Sequence, residues 1–496
     1  MSFSVRRPSW IPWLTFALAL WTAGFAWAIT GPPFAVADEP AHFIKGAAVW
    51  RGQLSADPGP ERIGELVEVP KQVAYSAALA GCVADAPNKP ACAAHLRGGH
   101  ETVQATTQVG EYPPMFYVLT GWPTMLALSD VSLYAGRLVS TTATTALLVA
   151  ATWALAQLVG RRTAMAGMLV AATPMVVYLG AALNPSGMEA AAGIAVWCFG
   201  LLALRRLADQ APVTVPVAVG WTLAASVLAA ARWTGPILLG AIMFAVLLTQ
   251  PLGSLPDLCR GAWRDRPLRW SIAGSLVVVA LSTAFIATRP RLLLLPGFMP
   301  PAEQGSGAIL VGETPLYLTQ MIASMGWLEV PPPTFTLLAW AMLLGTLIGA
   351  AVLVDDRRLL RAMALAAVVV VAAPFTTIGN LEEMGLHFQG RYMLAVAAGI
   401  PILALVAIAD GERAGRLRAE RLPFLLAPVA AVGHVVAFVW AQRRYAVGAD
   451  GPLSYLTDAE WSPPGGNGVL LAVFALAMVL ATLAATVSRR APAPPA

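Results

Sequence analysis

Apolar residues come in long unbroken blocks along this chain, separated by short polar segments that carry most of the charge. A helix needs about 20 such residues to cross the hydrocarbon core of a bilayer. Twelve blocks of this kind fall at 10–30, 131–159, 163–182, 187–204, 212–230, 236–250, 271–288, 334–353, 362–378, 392–409, 422–440 and 468–487. The pattern predicts an all-α polytopic membrane protein with about twelve transmembrane helices. A further run, Pro113 to Leu128, is short and holds Pro113, Pro114, Gly121 and Pro123, so it reads as an interfacial or re-entrant segment. The alternating segments of an outer-membrane barrel are absent.

Charge sets the orientation. Suppose 113–128 does not cross and the N-terminus is cytoplasmic. Then Arg6/Arg7, Arg161/Arg162, Arg205/Arg206, Arg260 to Arg269, Arg357 to Arg361, Arg413 to Arg421 and Arg489/Arg490 all face the cytoplasm, as the positive-inside bias requires. If 113–128 crosses, every cluster after the first falls outside. The expected topology is one integral membrane domain, 1–496, in the inner (plasma) membrane, N-in and C-in. Its extracytoplasmic loops are 31–130, 289–333 and 441–467. Arg6 and Arg7 before an apolar run also resemble a signal peptide, but Thr30-Gly31-Pro32-Pro33 offers no small-x-small cleavage site, so a retained first span is expected.

Composition narrows the class. The chain is 57% hydrophobic and 12% charged, with mean hydropathy +0.67, where a soluble domain carries about a quarter of its residues charged. The net charge of +5 is no nucleic-acid signal, because the arginines sit between spans. Lys45, Lys71 and Lys89 are the only lysines and share the first loop. Cys82 and Cys92 share it too, on the oxidising side, which predicts a local disulfide. Cys198, in a span, and Cys259, cytoplasmic, are expected to be bland. The loop is longer than a connector needs and is expected to hold membrane-lying helices, the first from Asp38 to Leu54. Asp38, His42 and Lys45 would share its polar face, with Phe43, Ala47 and Trp50 on the lipid side.

Candidate chemistry gathers on that outer side. Asp38-Glu39-Pro40-Ala41-His42 sets two carboxylates and an imidazole where the first span meets its loop. Asp38 also reads as a helix cap, with Pro40 in the first turn. Glu111-Tyr112-Pro113-Pro114-Met115-Phe116-Tyr117 ends the loop and doubles as an aromatic anchor. Asn184-Pro185 is turn chemistry, but Glu189, inside the end of a span, needs a partner, and Arg137 or Arg232 lies at the right depth. Glu329 follows Gly326-Trp327-Leu328, and His387, Gln389, Arg391 and Tyr392 open the tenth span. An arginine at an outer helix start opposes both the charge bias and the helix dipole, which points to an anion nearby. His434, alone in a span, reads as a packing residue. No P-loop, Rossmann fingerprint, zinc-spaced set or nucleophile elbow occurs.

The order of Asp38-Glu39-Pro40-Ala41-His42, Tyr112-Pro113-Pro114, Asn184-Pro185 and Gln389-Gly390-Arg391-Tyr392 resembles a bacterial family of multispanning membrane proteins, domain of unknown function 2142, over nearly the whole chain. That family in turn looks like the GT-C glycosyltransferases, such as the aminoarabinose transferases and protein mannosyltransferases. The resemblance implies a catalytic base at Asp38 or Glu39, with His42 beside them. It also implies a polyprenyl-phosphate-sugar donor, a glycan, lipid or protein acceptor, and inversion at the anomeric carbon. Arg391, then Arg232, Arg137 and Lys45, would meet the donor phosphate. Glu111, Tyr112, Tyr117, Asn184, Glu189, Glu329, His387, Gln389 and Tyr392 would line the pocket. Tyr112 stands where such enzymes carry a basic residue, so a phosphate contact must come from elsewhere. A divalent metal fits the chemistry, but no dedicated ligand set is present. Two other classes stay open. One is a lipid-linked sugar or polysaccharide transporter, which favours ionisable groups near mid-membrane. The other is a non-catalytic envelope assembly protein.

Overall fold

The computed structural model describes residues 10–55, 58, 64–84, 86–92, 95–289, 306–380 and 388–487. Helix α1 (Ile11–Thr30) leads into α2 (Glu39–Val49), a ribbon of β1 (Glu65–Pro70) and β2 (Thr102–Thr107), and the short α3 (Met115–Thr120). The body continues with α4 (Asp130–Val159), α5 (Arg161–Ala171), α6 (Pro174–Gly180), α7 (Pro185–Ala208), α8 (Val215–Ala231) and α9 (Gly235–Leu248). After it come α10 (Leu255–Arg264), α11 (Arg266–Ala287), α12 (Ser306–Ala323), α13 (Thr334–Val354), α14 (Arg357–Ala372), α15 (Gly399–Arg413), α16 (Leu422–Val447) and α17 (Asn467–Thr486).

Helix α7 is the axis of the bundle. Its residues from Pro185 to Leu204 are all buried, with α4, α8 and α9 packed around it. The run Gly187, Ala190, Ala191, Ala192, Gly193 and Ala195 explains why: small side chains let neighbouring backbones come close, which is how helices associate where lipid offers no hydrophobic drive. Among the described residues nine helices are long and apolar enough to cross a membrane, eleven if each of two sharply bent pairs counts as one span. The expected count of twelve is not reached by that measure, because three of the stretches fall short. The 163–182 stretch breaks at Pro174 with a 78° bend between α5 and α6, since proline removes an N–H and clashes with the preceding turn. The 212–230 stretch gives only the shorter apolar helix Val215–Ala231. Helix α9 turns by 104° into the segment holding α10. Helix α12 lies inside the expected 289–333 loop.

The first long loop folds into a cap. Its α2 does not lie on lipid as the helical wheel suggests. Phe43 and Ala47 are buried, in a small core with Phe34, Ile44, Val67, Val69, Leu133 and Leu183, and Trp50 donates to the Val118 carbonyl at 3.0 Å. What the wheel leaves out is the antiparallel ribbon, registered from Glu65↔Thr107 to Pro70↔Thr102. The period-two pattern of Val67 and Val69, buried either side of exposed Glu68, places one face of that ribbon on α2. It is the one sheet among the described residues of an otherwise helical chain. The 113–128 run forms α3 and a four-residue helix rather than a span. Gly121 closes α3 with its Cα against the Gly46 backbone, where an added Cβ would clash with the Gly46 carbonyl.

Cys82 and Cys92 are joined as a disulfide, and the hairpin they close is docked on the end of α16. There Arg444 donates to the carbonyls of Lys89 (2.7 Å), Val83 (2.8 Å) and Ala86 (3.1 Å). At the other end of the bundle Arg205 and Arg413 converge on Asp410, Arg413 reaches the Leu158 carbonyl and Arg416 the Val354 carbonyl. The chain's polar features are thus sorted between two ends. Gly121→Val should lower thermal stability in detergent by about 1–3 kcal/mol through overpacking. Gly240→Ala, with open space around it, should leave the melting temperature unchanged or slightly raised.

Candidate active site

The N-terminal ends of α4 and α7, the C-terminal end of α1 and the start of α2 meet at the end of the bundle opposite Asp410. Two adjacent carboxylates there have opposite fates. Glu39 has no exposed surface and is gripped by Arg137, through Nε to Oε1 at 2.8 Å and Nη2 to Oε2 at 2.6 Å. The Leu183 N–H adds a third donor at 3.1 Å. The remaining Arg137 donors go to the carbonyls of Ala28 (3.0 Å), Gly31 (2.6 Å) and Pro32 (2.8 Å). All five N–H groups of a guanidinium are therefore used. Both oxygens of Glu39 are thus taken up within the fold, and Arg137, expected to meet a phosphate, has every donor committed.

Asp38 faces the other way. It sits at φ +65°, a left-handed conformation that aspartate tolerates better than most residues. Its side chain makes no capping hydrogen bond, so the helix-cap reading is corrected. The carboxylate instead accepts from Arg391 Nη2 and keeps 38% of its side-chain surface exposed, against 1% for Arg391. The low-dielectric surroundings would raise its pKa, but the charge of Arg391, assisted by its hydrogen bond, holds the carboxyl below the usual range. The Arg391 Nε and Nη1 are buried with no hydrogen-bond partner among the described residues. Buried donors of that kind are costly unless something accepts from them.

Arg232 completes the charge balance. It donates to Glu189 Oε2 at 3.0 Å and to the Tyr112 hydroxyl at 3.3 Å, and Thr234 holds the other Glu189 oxygen at 2.7 Å. Of the two partners considered for Glu189, the structure brings Arg232. Its guanidinium lies 4.5 Å from the Tyr392 ring centroid and 5.5 Å from that of Tyr112, cation–π contacts that fix its plane. His42, one turn beyond Asp38, has Nδ1 2.9 Å from the Tyr117 hydroxyl and packs against Tyr112 and Phe116. Burial, together with Arg391 and Arg232, pushes its pKa down to about 3, so the ring is neutral at physiological pH. Asn184 donates to the Ala37 carbonyl at 2.9 Å and so fixes the backbone before Asp38.

Other candidates lie apart. Lys45 is fully buried, with its ammonium on Glu65 (3.0 Å) and the Gly110 carbonyl (2.9 Å). The ribbon absent from the helical wheel supplies its partner, which sets Lys45 apart from the Asp38–Arg391 pair. Glu111 is half-buried beside Glu65, and burial and that neighbour raise its pKa. Gln389 is half-buried, with Oε1 unpartnered among the described residues. His387 lies outside the described residues. Among those described, no three His, Cys, Asp or Glu side chains converge as a metal site. Arg444, which the sequence reading passes over, is 3.6 Å from Glu329. It carries the same signal as Arg391, an arginine at the wrong end of a span.

These observations define a polytopic helical membrane protein with a cluster of charge pairs and aromatic rings at one end. The chain belongs to the family described as predicted membrane protein (DUF2142), whose model matches residues 21–400. No curated protein matches it. Two solved structures are similar to it. One is ArnT from Cupriavidus metallidurans bound to undecaprenyl phosphate, at 16% identity and TM-score 0.44, covering 96% of this chain and 76% of that one. The other is the same protein in the apo state, at 15% and 0.44, covering 96% and 75%.

Arg137→Leu should cost about 3–5 kcal/mol, because it strands a buried carboxylate, and is expected to abolish recovery of folded protein by size-exclusion chromatography. Glu329 yields a pH effect. Burial raises its pKa from 4.5 to about 7, so folding favours its protonated form. Stability from this group is fully present below the ordinary glutamate pKa and is lost as pH rises through about 7, a fall on the order of 3 kcal/mol. Thermal unfolding from pH 4.5 to 8 should show that decline in the wild type, and Glu329→Gln should flatten it.

Proposed function

We propose that the chain is a membrane glycosyltransferase of GT-C type, transferring a sugar from a polyprenyl-phosphate-linked donor to an envelope glycan, lipid or protein acceptor. The observation that carries this reading is the Asp38–Arg391 pair. A half-open carboxylate, turned away from helix capping by a left-handed backbone, touches a buried arginine whose other donors lack partners among the described residues. A base for a hydroxyl and a ligand for an anion are thereby placed side by side. The sorting of arginines to the opposite end of the bundle supports an extracytoplasmic site in an N-in, C-in protein of the inner membrane. Nucleotide sugars are absent on that side, so a lipid carries the sugar. The loops 31–130, 289–333 and 441–467 then belong to one membrane domain.

The acceptor hydroxyl gives its proton to Asp38 as its oxygen bonds the anomeric carbon, and the bond from that carbon to the phosphate oxygen breaks. Configuration inverts, and polyprenyl phosphate leaves with the bonding electrons. Arg391 meets the charge that develops on it, with Arg232 behind; oriented cations act most strongly where water is excluded. The pairing also times the base. In the free protein Arg391 keeps Asp38 weakly basic, and a phosphate that draws on the same guanidinium relaxes that hold. Half-buried Tyr112 and Tyr392 offer the aromatic surface next to the pair for a sugar, with neutral, buried His42 packed behind Tyr112.

In a strain lacking the gene, wild type and Asp38→Asn should be compared at equal membrane levels by envelope glycan linkage analysis. A linkage restored by wild type should fall by about 100-fold or more with the variant. Equal restoration by both would refute the reading. Sugar counterflow without a new glycosidic bond would favour a transporter.

A further inference from the structure

Asp38 and Arg391 are 353 residues apart in sequence, and neither stands inside a regular α-helix. Arg391 is in the 3-10 turn Gly390–Met393, and Asp38 is the left-handed residue before α2. A pair built this way keeps its geometry only if something outside it fixes both backbones. One short stretch does so from both sides.

On the Arg391 side, the Gly390 N–H donates to Gln320 Oε1 at 2.7 Å, and Gln320 is buried. The Gly390 Cα lies against the Tyr317 carbonyl, where any Cβ would collide. The Phe388 ring meets Tyr317 edge-on at 5.1 Å. On the Asp38 side, Trp327 Nε1 donates to the Phe34 carbonyl at 3.1 Å, and the Ala37 N–H donates to the Gly326 carbonyl at 3.3 Å. The turn that does this is closed by the Met325–Val330 bridge and anchored by the Gly326 N–H on the Tyr178 hydroxyl at 2.9 Å. Thr173 Oγ1 donates to the Met321 carbonyl at 2.7 Å and ties the middle of the stretch to the bundle.

We propose that Gln320 and Trp327 are positioning residues for the Asp38–Arg391 pair, the first through the Gly390 N–H and the second through the Phe34 carbonyl. The stretch from Tyr317 to Val330 is the clasp that holds anion ligand and base in register. Neither side chain touches Asp38 or Arg391 through a hydrogen bond, so each acts through backbone. The word base rests on the proposed glycosyl transfer; the clasp itself does not.

The test separates the two. Full-length protein in nanodiscs is examined by hydrogen exchange without substrate, reading peptides that cover 34–43 and 388–394. Gln320→Met keeps bulk and removes the acceptor, and should speed exchange at 388–394 by about 5–10-fold, the worth of one buried hydrogen bond. Gln320→Glu keeps an acceptor oxygen and should restore the slow rate. Trp327→Phe should speed exchange at 34–43 by a similar factor. Both weakening variants should reduce binding of a polyprenyl monophosphate several-fold at an unchanged melting temperature. Wild-type exchange at these peptides in the variants would overturn the proposal. A uniform rise across the protein with a lower melting temperature would also overturn it, by making these residues ordinary packing. If the clasp peptides respond while wild-type protein binds no polyprenyl monophosphate, the clasp stands and the glycosyl-transfer reading falls.

Discussion

Five hydrogen bonds from one buried guanidinium organise the site end of this bundle. Arg137, on α4, takes both oxygens of Glu39 and the carbonyls of Ala28, Gly31 and Pro32. It therefore welds the end of α1 to the start of α2 and fixes how the chain leaves the membrane body. A charge pair with no exposed surface is costly unless every donor and acceptor is matched, and here the matching is complete on the arginine. With Glu39 drawn inward, the left-handed turn at Asp38 sends the preceding carboxylate outward to Arg391. Two like side chains next to each other in sequence become a lock and a candidate base because one is held.

Charge is distributed with the same economy. Arg391 faces Asp38, Arg232 faces Glu189, and Glu329 lies near Arg444. The pairs differ in how much of the arginine they use. Arg137 is saturated and Arg232 is clamped between carboxylate and tyrosine rings, whereas among the described residues Arg391 keeps two buried nitrogens without partners and Arg444, engaged by three carbonyls, keeps only its Nε. On the proposed function, this gradation separates the arginines that hold the fold from Arg391, the one assigned to the donor phosphate. The neutral imidazole of His42 adds hydrogen-bonding surface without another charge.

Much of this was readable from the chain. Block lengths predicted a multispanning helical protein, and all twelve apolar stretches are at least partly helical. Asp38, Glu189 and Arg391 stood out because each is a charge in a place where charge is expensive or against the prevailing bias. What could not be read was who pairs with whom. Arg137 and Arg232 are equivalent by depth, and only the packing of α4 and α8 around α7 assigns one to Glu39 and the other to Glu189. Lys45 was placed on one polar face with Asp38 and His42 because a helical wheel cannot show a ribbon folding over it. The ribbon itself had a faint signal in Glu65-Leu66-Val67-Glu68-Val69, too short to outweigh the helical pattern around it. Gln320 carried no signal at all, since a buried amide bonded to a backbone N–H looks like any polar residue on a helix.

On the proposed function, Asp38 takes a proton while Arg391 receives a phosphate. The most direct measurement is release of free polyprenyl monophosphate from lipid-linked sugar by purified protein in nanodiscs supplied with an envelope acceptor extract, followed by mass spectrometry. Wild type should release it with a matching gain of one sugar on the acceptor, and Asp38→Asn should lose both despite retained binding of the donor. Release and transfer that persist at the wild-type rate in Asp38→Asn would contradict the proposed function.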